Sequence, residues 1–196
     1  MPASPAGPAL DARITFLREA DRLKSVLRAS SLIDGSRREN SAEHSWHVML
    51  YALVLADHAE PGVDVTRVLK MLLIHDIVEI DAGDAPIHGT VDHDAVAARE
   101  AAAAARLFGL LPDPQAAEFR ALWDEFEDAQ SADARYAKAI DRFQPPVTNL
   151  ANGGGTWTDY DVTLDDLDNR IGPPIRRGAP SLWSWLRPKL AAFFNR

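Results

Sequence analysis

The chain has 196 residues, with 21 Lys+Arg against 29 Asp+Glu, a formal net charge of -8 and no cysteine. With 46% hydrophobic and 26% charged residues it has ordinary globular composition, enough for one domain with a sizeable core, so disorder is excluded. Disulfides, thiolate metal sites and a catalytic thiol are excluded too, and the acidic balance argues against a nucleic-acid polymer as partner, since phosphate backbones are held by Lys and Arg.

Residues 1–9, rich in proline, alanine and glycine, predict a flexible tail without the features of a signal peptide. Phe16, Ala20, Leu23 and Leu27 then recur with helical periodicity, which predicts a first helix from about Leu10 to about Ser30. Asn40 followed by Glu43 reads as a capping box opening a second helix through His58. Its apolar residues (Trp46, Val48, Met49, Leu50, Leu53, Val54, Leu55) lie nearly all round, which places it at the centre of a helical domain. After the Pro61-Gly62 break, Asp64 offers an N-cap to a third helix that carries Val65, Val68, Leu69, Leu72 and Leu73 into Ile74-His75-Asp76-Ile77-Val78-Glu79.

Gly83, Pro86 and Gly89 punctuate a loop before an Ala-rich helix, Asp94 to Phe108, that closes at Gly109 as a helix closes at a C′ glycine. Asp113-Pro114 predicts a cap followed by proline at the first helical position, with a helix to about Glu127. Ser131 caps another helix, expected to end before Pro145-Pro146. A long flexible loop from Asn149 to Asp161, around Gly153-Gly154-Gly155, and a closing helix from Ala179 to Asn195 complete the chain. The expected fold class is all-α, a bundle of about seven helices forming one domain over residues 10–196. No stretch approaches the ~18 consecutive apolar residues of a membrane span, so no membrane association and a cytoplasmic location are expected.

Without cysteine, a metal must be held by nitrogen and oxygen. His75 and Asp76 sit together in an apolar helix, where an ionised carboxylate is costly unless it is paired or coordinated. His44 opens the other central helix, and Asp141 follows the apolar stretch around Ala139-Ile140. Two imidazoles and two carboxylates would suit a first-row divalent ion if the helices converge; the alternative is a structural His-Asp hydrogen bond with Asp141 as an ordinary surface acid. Glu79, four residues after His75 and three after Asp76, shares their helix face and is a candidate general acid or base. Asp84 is either a substrate contact or a turn acid after Gly83. Arg37 and Arg38 precede the capping box, and either could reach a phosphate or simply be solvated. His47 reads as a core histidine or the edge of the site, Trp46 as packing, and His58 as a cation suited to a helix end.

Four ordered blocks carry a resemblance. Asn40-Ser41-Ala42-Glu43-His44-Ser45, then Leu73-Ile74-His75-Asp76-Ile77-Val78-Glu79 with Gly83-Asp84, then Lys138-Ala139-Ile140-Asp141, resemble the HD-domain phosphohydrolases, and the branch with bacterial 5'-deoxynucleotidases in particular. The match spans roughly residues 21–143. The resemblance implies an HD-domain-like helical bundle and one divalent metal ion (Mn, Co, Mg, Fe, Ni or Zn) held by His44, His75, Asp76 and Asp141. It implies catalysis by Glu79, with Asp84 positioning substrate or attacking water and Ala85, Pro86 and Ile87 following the substrate. Arg28, and Arg38 with it, are the expected phosphate or nucleotide contacts, although Arg28-Ala29 stands where the characterised deoxynucleotidases carry an Arg-Trp pair.

The expected function is metal-dependent removal of phosphate from small-molecule phosphomonoesters, 5'-deoxynucleoside monophosphates foremost. A dinuclear phosphodiesterase or oxygenase would need further histidines, for which His88 and His93 are the candidates, and a nucleotide-binding regulatory module without turnover is the third reading. A homodimer is expected from the resemblance and from the late aromatics Trp183, Trp185, Phe193 and Phe194, which could equally cap their own domain.

Overall fold

The computed structural model describes residues 6–89 and 92–195, and these are overwhelmingly helical. Helix α1 (Ala6–Ala20) starts inside the segment expected to be a tail, whose first five residues lie outside those described. It also ends ten residues short of the predicted Ser30, tightening into a 3₁₀ turn at Asp21–Ser25. The chain then forms a hairpin, β1 (Leu27–Ser31) antiparallel to β2 (Arg38–Asn40), that helical periodicity does not disclose. The reason is local. Asp34-Gly35 makes a turn in which Asp34 accepts from the Ser36 N–H at 2.9 Å while Gly35 takes φ +69°.

The Asn40 capping box forms as predicted and opens α2 (Ser41–Val54): the Glu43 N–H donates to Asn40 Oδ1 at 3.0 Å and the Asn40 N–H to Glu43 Oε2 at 3.0 Å. Helix α2 is not buried all round. Ser41, His44, Ser45, Val48 and Ala52 face inward, whereas Trp46, Leu53 and Val54 are 62%, 53% and 68% exposed. Asp64 caps α3 (Val65–Ile74) through the amides of Thr66 and Arg67. Instead of continuing, the helix narrows to a 3₁₀ turn at His75–Val78 and resumes as α4 (Glu79–Ala82). Asp92 caps α5 (His93–Phe108), which ends at a Gly109 of right-handed φ (-65°) and not in a left-handed cap. In α6 (Gln115–Asp128) Pro114 occupies the N-cap and Asp113 makes no capping bond.

Ser131 caps α7 (Ala132–Ala151) through the Ala134 N–H, as expected, but the helix runs straight through Pro145 and Pro146. Two prolines forfeit the bonds that would reach the carbonyls of Asp141 and Arg142. Tertiary packing outweighs that loss, since α7 is the central element and touches α2, α3 and α6. The glycines expected in a flexible loop form a turn with positive φ at Gly153, Gly154 and Gly155. It leads into α8 (Thr156–Asp159), whose Trp157 is buried with ring centroids 5.2 Å from Phe193 and from Phe194. Then follow α9 (Leu164–Asp166), a π-helical turn, α10 (Gly172–Gly178) and the predicted closing helix α11 (Pro180–Phe194). Of the late aromatics, Trp183 is buried and Phe193 and Phe194 pack on the core, leaving Trp185 about half exposed. No helix among the described residues is long and apolar enough to cross a membrane.

Candidate metal centre and its cavity

Three inward-facing side chains meet where α2, the 3₁₀ turn and α7 converge. One imidazole nitrogen each from His44 and His75 and an Asp141 oxygen lie within 4.8 Å of one another, the group among the described residues able to hold a metal ion. His44 Nε2 is 2.9 Å and His75 Nε2 3.6 Å from Asp141 Oδ1, and Asp76 Oδ1 is 3.0 Å from His75 Nε2. His75 Nδ1–H donates to the Leu72 carbonyl at 2.9 Å, which fixes the ring and turns Nε2 toward the carboxylates. That Nε2 is buried without a hydrogen-bond partner.

The electrostatics say what this cluster lacks. Burial, and then the Arg28 charge, hold His44 down at about pKa 4 despite its bond to Asp141. Burial opposes a charge on His75 too, but Asp76 and Asp141 outweigh it and keep its pKa up at about 9. Asp141 is itself held well below the usual carboxylate range: burial opposes, but Arg142 and the two histidines win. A proton on His75 thus supplies the positive charge that two buried carboxylates demand. A divalent ion meets the same demand with an orphaned nitrogen already aimed at it, so the donor set of two imidazoles and two carboxylates fits a metal.

Arg28 on β1 closes the other side. Its Nε is 3.2 Å from Glu39 Oε1, and its Nη1 is 3.3 Å from Asp76 Oδ2 and 3.8 Å from Asp84 Oδ1. Asp84 also accepts from the Ala29 N–H at 3.2 Å. Glu79 accepts a 2.5 Å hydrogen bond from the Ser41 hydroxyl, and burial followed by the Asp76 charge pushes its pKa up to about 9. Burial raises Asp84 as well, against the pull of Arg28.

These groups line a cavity of about 260 Å³. His75, Asp76, Glu79 and Asp141 lie on it, as do the expected substrate contacts Arg28, Asp84, Ala85, Pro86 and Ile87. Arg38 does not: strand alternation turns it to solvent and turns Glu39 inward. His88 and His93 both line the cavity, yet neither joins the metal-competent group. Sequence reasoning missed Glu39, which strand alternation could have revealed, and the residues contributed from beyond Asp141. Arg142, Pro146, Trp157 and Tyr160 are among the residues that line the cavity.

A sequence profile described as HD domain matches residues 20–183. The 5'-deoxynucleotidase HDDC2 of Bos taurus is 29% identical over 157 residues, covering 76% of this chain and 75% of that protein. The Homo sapiens protein of the same name is 28% identical over 130 residues, covering 66% of this chain, and the chain spans 62% of its length. Among solved structures, a predicted metal-dependent phosphohydrolase from Magnetospirillum magnetotacticum MS-1 superposes with a TM-score of 0.90 at 48% identity over 96% of each chain.

Proposed function

The chain belongs to the HD domain family, and from that premise we propose that it is a metal-dependent phosphohydrolase that removes phosphate from small-molecule phosphomonoesters, with 5'-deoxynucleoside monophosphates foremost. The carrying observation is the convergence of His44, His75 and Asp141, with Asp76 beside them, at a cavity that also holds a raised-pKa glutamate. One divalent ion, of the set Mn, Co, Mg, Fe, Ni or Zn, would be held by these four residues and would supply Lewis-acid polarisation of the ester. Burial and the Asp76 charge push the Glu79 pKa up to about 9, so it is the group able to hand a proton to the departing alcohol oxygen as that oxygen's bond to phosphorus breaks and water's oxygen bonds to phosphorus, the proton released by the water passing to the phosphate and from there back to Glu79. Ser41 fixes the carboxyl that does so. Asp84, tethered to the Ala29 amide, positions the substrate or the water along the loop wall of Ala85, Pro86 and Ile87. Arg28 holds Asp76, Asp84 and Glu39 together around a single guanidinium.

A cytoplasmic location is supported by the cysteine-free composition. A homodimer is supported by the apolar side chains on the outer face of α2.

Two variants test the assignment. Asp76→Ala is expected to lose both bound metal and phosphate release, whereas Glu79→Gln keeps the metal and loses ~10²- to 10⁴-fold in kcat. Elemental analysis and release of phosphate from dAMP read the two effects separately. Wild-type turnover in both variants would sink the assignment.

A further inference from the structure

A phosphate ester carries its negative charge into a cavity already lined by Asp76, Glu79, Asp84, Glu100 and Glu127. Besides a metal, an uncommitted arginine is the group best suited to receive it. Three permanent cations line the cavity: Arg28, Lys138 and Arg142. Arg28 is surrounded by Glu39, Asp76 and Asp84, so its charge is spent on holding acids together. Lys138 Nζ lies 3.1 and 3.2 Å from the two Glu127 oxygens and 4.0 Å from the centroid of the Phe126 ring. Arg142 is different. Among the described residues its one close partner is Asp141 Oδ2, 3.6 Å from its Nε and beyond hydrogen-bond reach, and that carboxylate is itself placed for a metal.

We infer that Arg142 is a further residue that receives the phosphoryl group of the substrate; the inference rests on the phosphohydrolase reading of this cavity. Arg142 follows Asp141 on α7, so its guanidinium leaves the helix beside the metal-competent group. It lines the cavity together with Asp84, Ile87 and His88 of the loop. Its side chain is about one-third exposed (32%), open to an incoming anion. A planar fork of N–H donors matches two oxygens of a tetrahedral phosphate, which an ammonium does not.

The test is calorimetric titration of inorganic phosphate into Mn²⁺-loaded protein, alongside kcat and KM for dAMP. Arg142→Gln, which keeps much of the side-chain stem, is expected to bind phosphate about tenfold or more weakly and to raise KM, with Mn²⁺ content and circular dichroism unchanged. Arg142→Lys recovers part of the affinity, and Lys138→Ala retains wild-type affinity. Undiminished phosphate binding in Arg142→Gln, or an equal loss in Lys138→Ala, overturns the inference. Wild-type protein that binds phosphate yet hydrolyses no ester removes the phosphohydrolase reading while the Arg142 comparison still decides; wild-type protein that does neither overturns both.

Discussion

A glutamate that keeps its proton at neutral pH can act as a donor, and in Glu79 burial and the Asp76 charge outweigh the opposing pull of Arg28 and Ser41. Burial beside Asp76 raises its pKa to about 9, while the Ser41 hydroxyl, donating to the carboxylate, favours ionisation. The donor form therefore predominates below about pH 9 and is lost above it, so turnover falls on the alkaline side. Removing the hydroxyl in Ser41→Ala withdraws support from the ionised form and moves that alkaline limb to higher pH, with metal content unchanged. A kcat profile over pH 6–10 checks this, and a limb displaced to lower pH would contradict it. Much of the centre was legible only through the family resemblance: by themselves His75 and Asp76 stood out in an apolar helix while Asp141 could have been a surface acid, and the structure brings His44, His75, Asp76 and Asp141 to one place. Arg38 was placed at the substrate and Glu39 was passed over because their sides depend on recognising a three-residue strand in a segment without helical or strand signals of its own.

Elements reveal themselves in sequence where their signals are local. The caps at Asn40, Asp64 and Ser131 are two- or three-residue devices and were all readable. The passage of α7 through Pro145-Pro146 was not, because packing on α3 and α10 decides it and no local rule records that packing. The contact of α10 with α7 illustrates how tight this is. A Cβ at Gly178 would overlap the Arg135 carbonyl and come within 2.8 Å of the Ala139 Cβ. Gly178→Ala is accordingly expected to cost ~1–3 kcal/mol, since a packed interface absorbs an extra methyl only by moving. Thermal unfolding should show Tm lower by roughly 2–12 °C. An unchanged Tm would mean that α10 slides without penalty.

For the molecule as a whole, the unexpected surface is the outer face of α2. Trp46, Leu50, Leu53 and Val54, with Leu73 on α3, are all exposed by more than 40%, whereas most of the late aromatics first expected to drive pairing are packed within the chain. Scattered apolar residues are ordinary, but several on one helix face mark a contact surface. Light scattering should give a mass near twice the chain's 21.5 kDa, falling to one chain when Trp46→Asp and Leu50→Asp are combined. A wild-type mass near 21.5 kDa would reject the dimer.

The bond between His44 and Asp141 joins residues 97 apart, and His75 stands between them in sequence. Closing such a span requires α2, α3 and α7 already to be docked, so the ligand set does not exist in a partly folded chain. A short contiguous binding loop can capture its ion early and template the structure around it. An ion held by these residues would recognise only the finished fold, and would act as a lock on the native state and not as a guide toward it.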